Sequence, residues 1–459
     1  MVKIKLFAAL LAILPIVAAS QNEDSLFIRK IADEVMANGQ AFNNLRYLTK
    51  QIGGRLTASP QTYLAEAWGA KTIKYSGADS TYLQEVKVPH WVRGGRDNTT
   101  ITSIDGKKQS FQLDVLALGN SIGSGKNGIS APILVVNSYK ELEERKEEAK
   151  GKIVFYNFPF NHKNIQPGKS YGEAGQYRYW GASRAAKYGA VGIIIRSLTE
   201  ATDNNPHTGA MRYNDSFPKI PAVATGLIHA DSLFAICSRH KNVLATIHTY
   251  GYFLPDTIAH NVIGELKGTE HPDEIITVGG HLDSWDAAEG AHDDGAGVVH
   301  TIEVLRALKV LGYRPRRTIR FVLFANEENG LRGGEMYANT AKAKNEKHLF
   351  ALESDGGGFT PRGFSFTTDK EKFTKLKSWA YLFEPYTCST FTEGGGGADI
   401  GPLRKNVNAT LAGFDSDEQR YFDYHHARTD VFENVNRREL LLGAMNMAAL
   451  IYLVDKYGL

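Results

Sequence analysis

Five short stretches of the 459-residue chain carry side chains that hold cations or move protons: His281-Leu-Asp283, Asp293-Asp294-Gly-Ala-Gly297, Glu327-Glu328, Glu353-Ser-Asp355, and His425-His426 with Asp430. Neutral imidazole and carboxylate oxygen are suitable ligands for zinc and similar divalent ions. Taken singly, each stretch is weak evidence, because an Asp or His behind a strand is commonly a helix cap or a satisfied loop residue. Their convergence is the signal: carboxylates crowded on one rim repel one another unless a multivalent cation neutralises them. The only cysteines, Cys237 and Cys388, have no metal-knuckle spacing and are too few for a disulfide framework, so any metal must be held by His, Asp and Glu.

A sheet is what would bring these residues together. The apolar run Ile275-Ile-Thr-Val278 leads into Gly279-Gly-His281, and Thr318-Ile-Arg-Phe-Val-Leu-Phe324 leads into Ala325-Asn-Glu327-Glu328. Leu349-Phe-Ala-Leu352 leads into Glu353-Ser-Asp355. Helical patterns over 297–311 and 439–454 accompany them. Apolar runs separated by helices indicate a mostly parallel sheet covered on both faces, with its site beyond the carboxyl ends of the strands. The expected fold class is α/β: a three-layer α/β/α sandwich with a mostly parallel mixed sheet, plus an inserted β-rich domain.

The rest of the chain divides by pattern. Lys3 and Lys5 precede an apolar run from Leu6 to Ala19, and Ala18-Ala19-Ser20 supplies a signal-peptidase site, so residues 1–20 read as a signal peptide. The mature chain is then secreted or periplasmic. No other stretch is expected to be apolar and long enough to span a bilayer, and no membrane contact is expected after cleavage. Residues 21–110 read as the N-terminal part of the catalytic domain and 251–459 as its remainder. Between them, 111–250 holds short β-rich runs at 131–136, 152–156, 191–195 and 220–223, with no ligand-type cluster. This insert is expected to cover or shape a cleft and to stand apart from the metal chemistry. The mixed charges from Lys140 to Lys150 read as a solvated helix face. With 53 basic against 50 acidic side chains, the net charge of +3 gives no reason to expect a nucleic-acid partner.

In this order the motifs resemble those of the co-catalytic di-zinc exopeptidase family. The resemblance spans nearly the whole mature chain. Arg55-Leu-Thr-Ala-Ser-Pro60 and Pro89-His-Trp-Val-Arg-Gly94 look like the family's N-terminal segment; Lys152-Ile-Val, Gly189-Ala-Val-Gly-Ile-Ile-Ile195 and Ile220-Pro-Ala-Val223 look like its protease-associated insert. The resemblance implies two Zn2+ per chain, His281 and Asp355 on one, Glu328 and His426 on the other, and Asp293 bridging both. It implies a metal-bridging hydroxide as nucleophile and Glu327 as general base. Asp283 would accept the other N–H of the His281 ring, fixing its tautomer, or otherwise brace it, the plainer reading being a turn residue. His292 and His425, each directly before a ligand, are taken as flanking residues. After His426 the family more often has Asp followed by Thr, whereas this chain runs Ala427-Arg-Thr-Asp430. Gly394-Gly-Gly-Gly-Ala-Asp399 is similar to a substrate-pocket segment, although its glycines fit a hinge equally well. The implied activity is exopeptidase cleavage of dipeptides or short peptides, by a carboxypeptidase or dipeptidase, with a peptide as partner and a homodimer left open. The alternatives are an aminopeptidase on longer peptides and a receptor-like homologue without metals.

Overall fold

The computed structural model describes residues 23–459, so the export signal read in residues 1–20 lies outside the described residues. β1 (Ser80–Val92) opens one sheet. The chain then builds a second from β2 (Asn98–Ile104), β3 (Lys107–Leu113), β4 (Val115–Ala117), β5 (Ile129–Val136), β6 (Ile153–Tyr156), β7 (Gly192–Arg196), β8 (Ala222–Thr225) and β9 (Val243–His248). It returns to the first with β10 (Tyr252–Leu266), β11 (His271–His281), β12 (Arg317–Phe324), β13 (Lys347–Glu353), β14 (Pro361–Thr367), β15 (Thr390–Glu393) and β16 (Thr410–Ser416). The first sheet is ordered β1-β10-β12-β11-β13-β16-β14-β15 and the second β3-β2-β9-β5-β6-β7-β8-β4. Both are mixed. In the first, β12, β11, β13 and β16 run parallel at the centre, flanked by antiparallel pairings.

The central strands form where the sequence is mostly apolar. β12 is buried at every residue after Arg317, as a parallel strand covered on both faces should be. The helix Ala296–Val310 and the C-terminal helix Arg437–Tyr457 pack together in the core beside this sheet. Ile28, Ile31 and Val35, at helical spacing in the helix over 23–38, are fully buried in the same core. The helix Arg437–Tyr457 corrects one expectation: it is long and apolar enough to cross a membrane by composition. Its apolar window is 83% buried within the fold, which shows that its hydrophobicity serves the core.

The second sheet begins upstream of the 111 boundary expected from the sequence. Asp105 and Gly106, at φ 48° and 80°, form the two-residue turn of a β2–β3 hairpin, and β2 pairs with β9. Asp-Gly between strands is a strong local hairpin signal because both central residues need φ > 0. Cys237 and Cys388 are free thiols, as their number suggested.

Candidate metal centre

Four parallel strands end at one rim. β11 ends on His281, and Asp355 lies two residues beyond the end of β13 at Glu353. Beyond β12, Asn326 takes a left-handed φ of 63°, a conformation Asn tolerates better than most residues, and starts the turn that presents Glu327 and Glu328. The segment after β16 passes through the short helix Tyr421–Tyr424 to His425 and His426. Asp293 comes from the loop before the helix Ala296–Val310, and its peptide bond to Asp294 is cis.

Asp293 lies between two groups. Its Oδ1 is 3.2 Å from His281 Nε2, and its Oδ2 is 3.2 Å from His426 Nε2. On the first side Asp355 Oδ1 stands 3.5 Å from the same His281 nitrogen; on the second, Glu328 Oε2 stands 3.2 Å from His426 Nε2. All five residues proposed as ligands therefore converge, with one carboxylate oxygen of Asp293 turned toward each pair. Asp293 Oδ2, Glu328 Oε1 and Asp355 Oδ1 are buried with no hydrogen-bond partner. Unpartnered buried oxygens are costly, and a divalent cation is what this donor set would suit.

The electrostatics carry the same sign of crowding. Burial opposes the charge of Asp293, but the attraction of the facing His281 and His426 rings outweighs it and holds the carboxyl well below its usual range. Glu328 is pushed well above the carboxylate range, by burial first and by Asp293 next. Burial, countered by His281 and reinforced by Asp355, Asp283 and Asp293, pushes Glu327 up to about 8. His281 is raised well above the imidazole range because the attraction of the facing Asp293 and Asp355 carboxylates exceeds the opposing effect of burial.

The supporting contacts differ in part from those expected. The acceptor for His281 Nδ1 is the Asp283 main-chain carbonyl at 3.0 Å, while the Asp283 carboxylate is 3.8 Å away. That carboxylate instead accepts from the N–H groups of Glu327 (3.0 Å) and Glu328 (3.4 Å) and from the Thr57 hydroxyl (2.6 Å). Asp283 thus positions the Glu327-Glu328 turn. Asp430, buried, accepts from the N–H groups of His292 (2.7 Å) and Asp293 (3.1 Å), which orients the central aspartate. Arg55, fully buried, donates to the carbonyls of Leu282, Glu289 and Gly290, so the N-terminal motif ties down the loops that carry the ligands. His292 stacks on Phe359 and faces away from the cluster's acceptors, as a flanking residue should.

His425 is closer to the centre than expected. Its Nε2 is 3.5 Å from Asp293 Oδ2, and its ring stacks on that of His426 at 3.6 Å. Only His426 also reaches Glu328. The segment that carries the second sheet also contacts this histidine pair. Thr208 donates its N–H to the His426 carbonyl (3.0 Å) and offers its own carbonyl to His426 Nδ1 (3.3 Å), and His207 Nδ1 donates to the His425 carbonyl (2.7 Å). At one position the glycine-rich loop packs closely: a Cβ on Gly397 would lie 2.0 Å from the Glu353 carboxyl carbon, whose oxygen accepts from Ile400 N–H.

Two cavities flank the centre. One of about 310 Å³ lies between the rim and the insert, and one of about 740 Å³ lies beyond Asp355 along the glycine-rich loop.

The crowding predicts how chelation alters stability. Burial pushes Glu327 up to about 8, and burial first, with Asp355 or Asp293 adding to it, pushes Glu353 and Asp430 up to about 7. Those protons are retained on folding and lost on unfolding, so between about pH 7 and 8 the unfolded chain binds fewer protons and stability falls as pH rises. Buried imidazoles held down at about 4, such as His300, act in the opposite sense only at lower pH. The Tm of chelated protein should drop by about 2 °C across that unit. With zinc bound, the charged carboxylates are compensated and the drop should vanish. A chelated Tm that rises over the interval would contradict this.

A buried imidazole–carboxylate cluster at parallel strand ends, with a further glutamate beside it, is the equipment of a metal-dependent hydrolase. Comparison with known proteins narrows the class. The signature of peptidase family M28 matches residues 261–451. Carboxypeptidase Q of Xenopus laevis is 36% identical over 394 residues, covering 86% of this chain and 81% of that one. The crystal structure of a peptidase M28 precursor from Shewanella amazonensis superposes with a TM-score of 0.90 at 32% identity, covering 95% of this chain and 98% of that one. A zinc aminopeptidase from Bacillus subtilis shares the fold, with a TM-score of 0.65 at 19% identity over 92% of this chain and 97% of that one. The chain belongs to peptidase family M28 and is a metallo-exopeptidase.

Proposed function

We propose that the protein is an exported di-zinc exopeptidase that hydrolyses dipeptides or short peptides with a free carboxylate, within a three-layer α/β/α catalytic domain capped by a protease-associated insert. The observation that supports this best is Asp293, whose two oxygens face His281 and His426 separately, each beside its own second carboxylate. His281, Asp355, Glu328, His426 and Asp293 would hold the ions. When bound, two divalent cations supply Lewis acidity, lowering the pKa of water toward about 7 at zinc and polarising a carbonyl. Glu327 takes a proton from the attacking water and delivers it to the leaving amine. Asp283 keeps Glu327 aimed through its main-chain N–H. The insert and the glycine-rich loop exclude bulk water from the cleft, which strengthens the electrostatic interactions inside it.

Metal analysis of purified protein, with hydrolysis of a dipeptide, its C-terminal amide and an extended tetrapeptide, tests the reading. The expected result is two zinc ions per chain and clear preference for the free dipeptide. An open-cleft aminopeptidase would take all three at equal rates, and that result would reject the dipeptidase reading.

A further inference from the structure

The wall that the insert contributes holds a cation with no carboxylate of its own. Arg178 projects from the helix Pro167–Ala186 into the 310 Å³ cavity that opens on Asp293, Glu327 and Glu328. Its guanidinium lies over the Tyr171 ring, 5.1 Å from the centroid, and its Nη1 donates to the Tyr171 hydroxyl. Its Nε is buried without a hydrogen-bond partner. The guanidinium groups of Arg93, Arg306 and Arg320 each pair with carboxylates. Among the described residues, none forms an ion pair with Arg178.

Its other polar contact among the described residues is a 3.4 Å approach of Nη1 to Nδ1 of His426. That contact cannot persist as a hydrogen bond when His426 ligates through Nε2. The proton then sits on Nδ1 and is donated to the Thr208 carbonyl, leaving no acceptor for the arginine. The loaded site therefore presents a planar, permanently charged donor fork, at the edge of the cleft, with its natural partner missing.

We propose that Arg178 anchors the α-carboxylate of the substrate and so makes the enzyme selective for peptides whose free carboxyl end lies one residue beyond the scissile bond. The inference rests on the dipeptidase reading above. A second feature supports the orientation. The larger cavity, which shares Asp355 with the first, is lined by Glu353, Asp415, Asp417 and Glu418, and its one arginine, Arg362, is already paired with Asp417. A zwitterionic dipeptide laid across the centre meets acidic groups at its amine and Arg178 at its carboxylate. A longer peptide places an uncharged amide opposite the guanidinium.

The test compares wild type, Arg178→Gln and Arg178→Lys on one dipeptide and its C-terminal amide, with zinc content measured on each protein. Wild type should prefer the free acid. Arg178→Gln should keep both zinc ions while its KM for the acid rises on the order of 10–10²-fold and its KM for the amide stays put, collapsing the preference. Arg178→Lys, which keeps the charge and loses the fork, should fall between them. Equal losses on acid and amide would instead make Arg178 a stabiliser of the reacting carbonyl, and loss of zinc would make it a support for His426; either result overturns the anchor. A wild-type preference that survives in both variants with zinc bound would overturn the anchor alone. Equal wild-type rates on acid and amide would remove the dipeptidase reading and the anchor together.

Discussion

The Glu327→Gln protein is expected to keep its full complement of zinc while its turnover number falls on the order of 10²–10⁴-fold. The substitution preserves shape and removes only the proton acceptor. The main-chain N–H that Asp283 grips is unchanged, so the turn and its neighbour Glu328 should stay in place. Of the two adjacent glutamates, Glu328 is the one 3.2 Å from His426 Nε2, whereas Glu327 makes no such contact and lines the cleft. Glu328→Gln should therefore lower zinc affinity, the opposite pattern. Turnover near the wild-type value in Glu327→Gln, measured on zinc-loaded protein, would mean that another group is the base.

Asp293→Ala should empty both positions at once. Among the described residues its carboxylate is the one group that reaches a histidine of each set, so its loss removes one donor from each position and leaves Asp355 and Glu328 each with fewer partners to hold a cation. Activity should fall below detection, and zinc should be lost from both positions on dialysis. Full stoichiometry in this variant would sink the bridging assignment. Asp294, the neighbour of the central aspartate, holds a different position: its carboxylate accepts from the N–H groups of His281 (3.0 Å) and Gly297 (2.8 Å). Asp294→Ala should thus weaken one position through His281 and spare the other, making it a graded comparison rather than a silent control.

The rim was legible because parallel strands announce themselves: the runs before His281, Glu327 and Glu353 are mostly apolar, broken only by Thr277, Thr318 and Arg320, and each points to a residue at its end. The β2–β3 hairpin carries a readable Asp-Gly signal, but β3 is exposed at every residue except Leu113, so no apolar run marks it. β15, four residues with a single buried position, has almost no pattern to find. Distance in sequence hid the rest. Thr208 lies 218 positions from His426, and no local spacing announces that a main-chain carbonyl so far away supports a ligand ring. The Asp283 brace was half visible. Proximity to His281 was clear, but which of its oxygens faced the imidazole depended on the Glu327-Glu328 turn arriving from another strand.

The grip of Thr208 and His207 on the His425-His426 loop makes ion retention and cleft width antagonists. If His426 holds an ion as proposed, any swing that lifts the second sheet away from the rim to admit a bulky chain also strips the Thr208 carbonyl from its ring, so opening widely and staying loaded cannot both be maximised. A protein wired this way works best on cargo small enough to enter without prising the halves apart. Grafting a different cap onto the same rim would change how tightly the enzyme keeps its metal even if every ligand were left untouched.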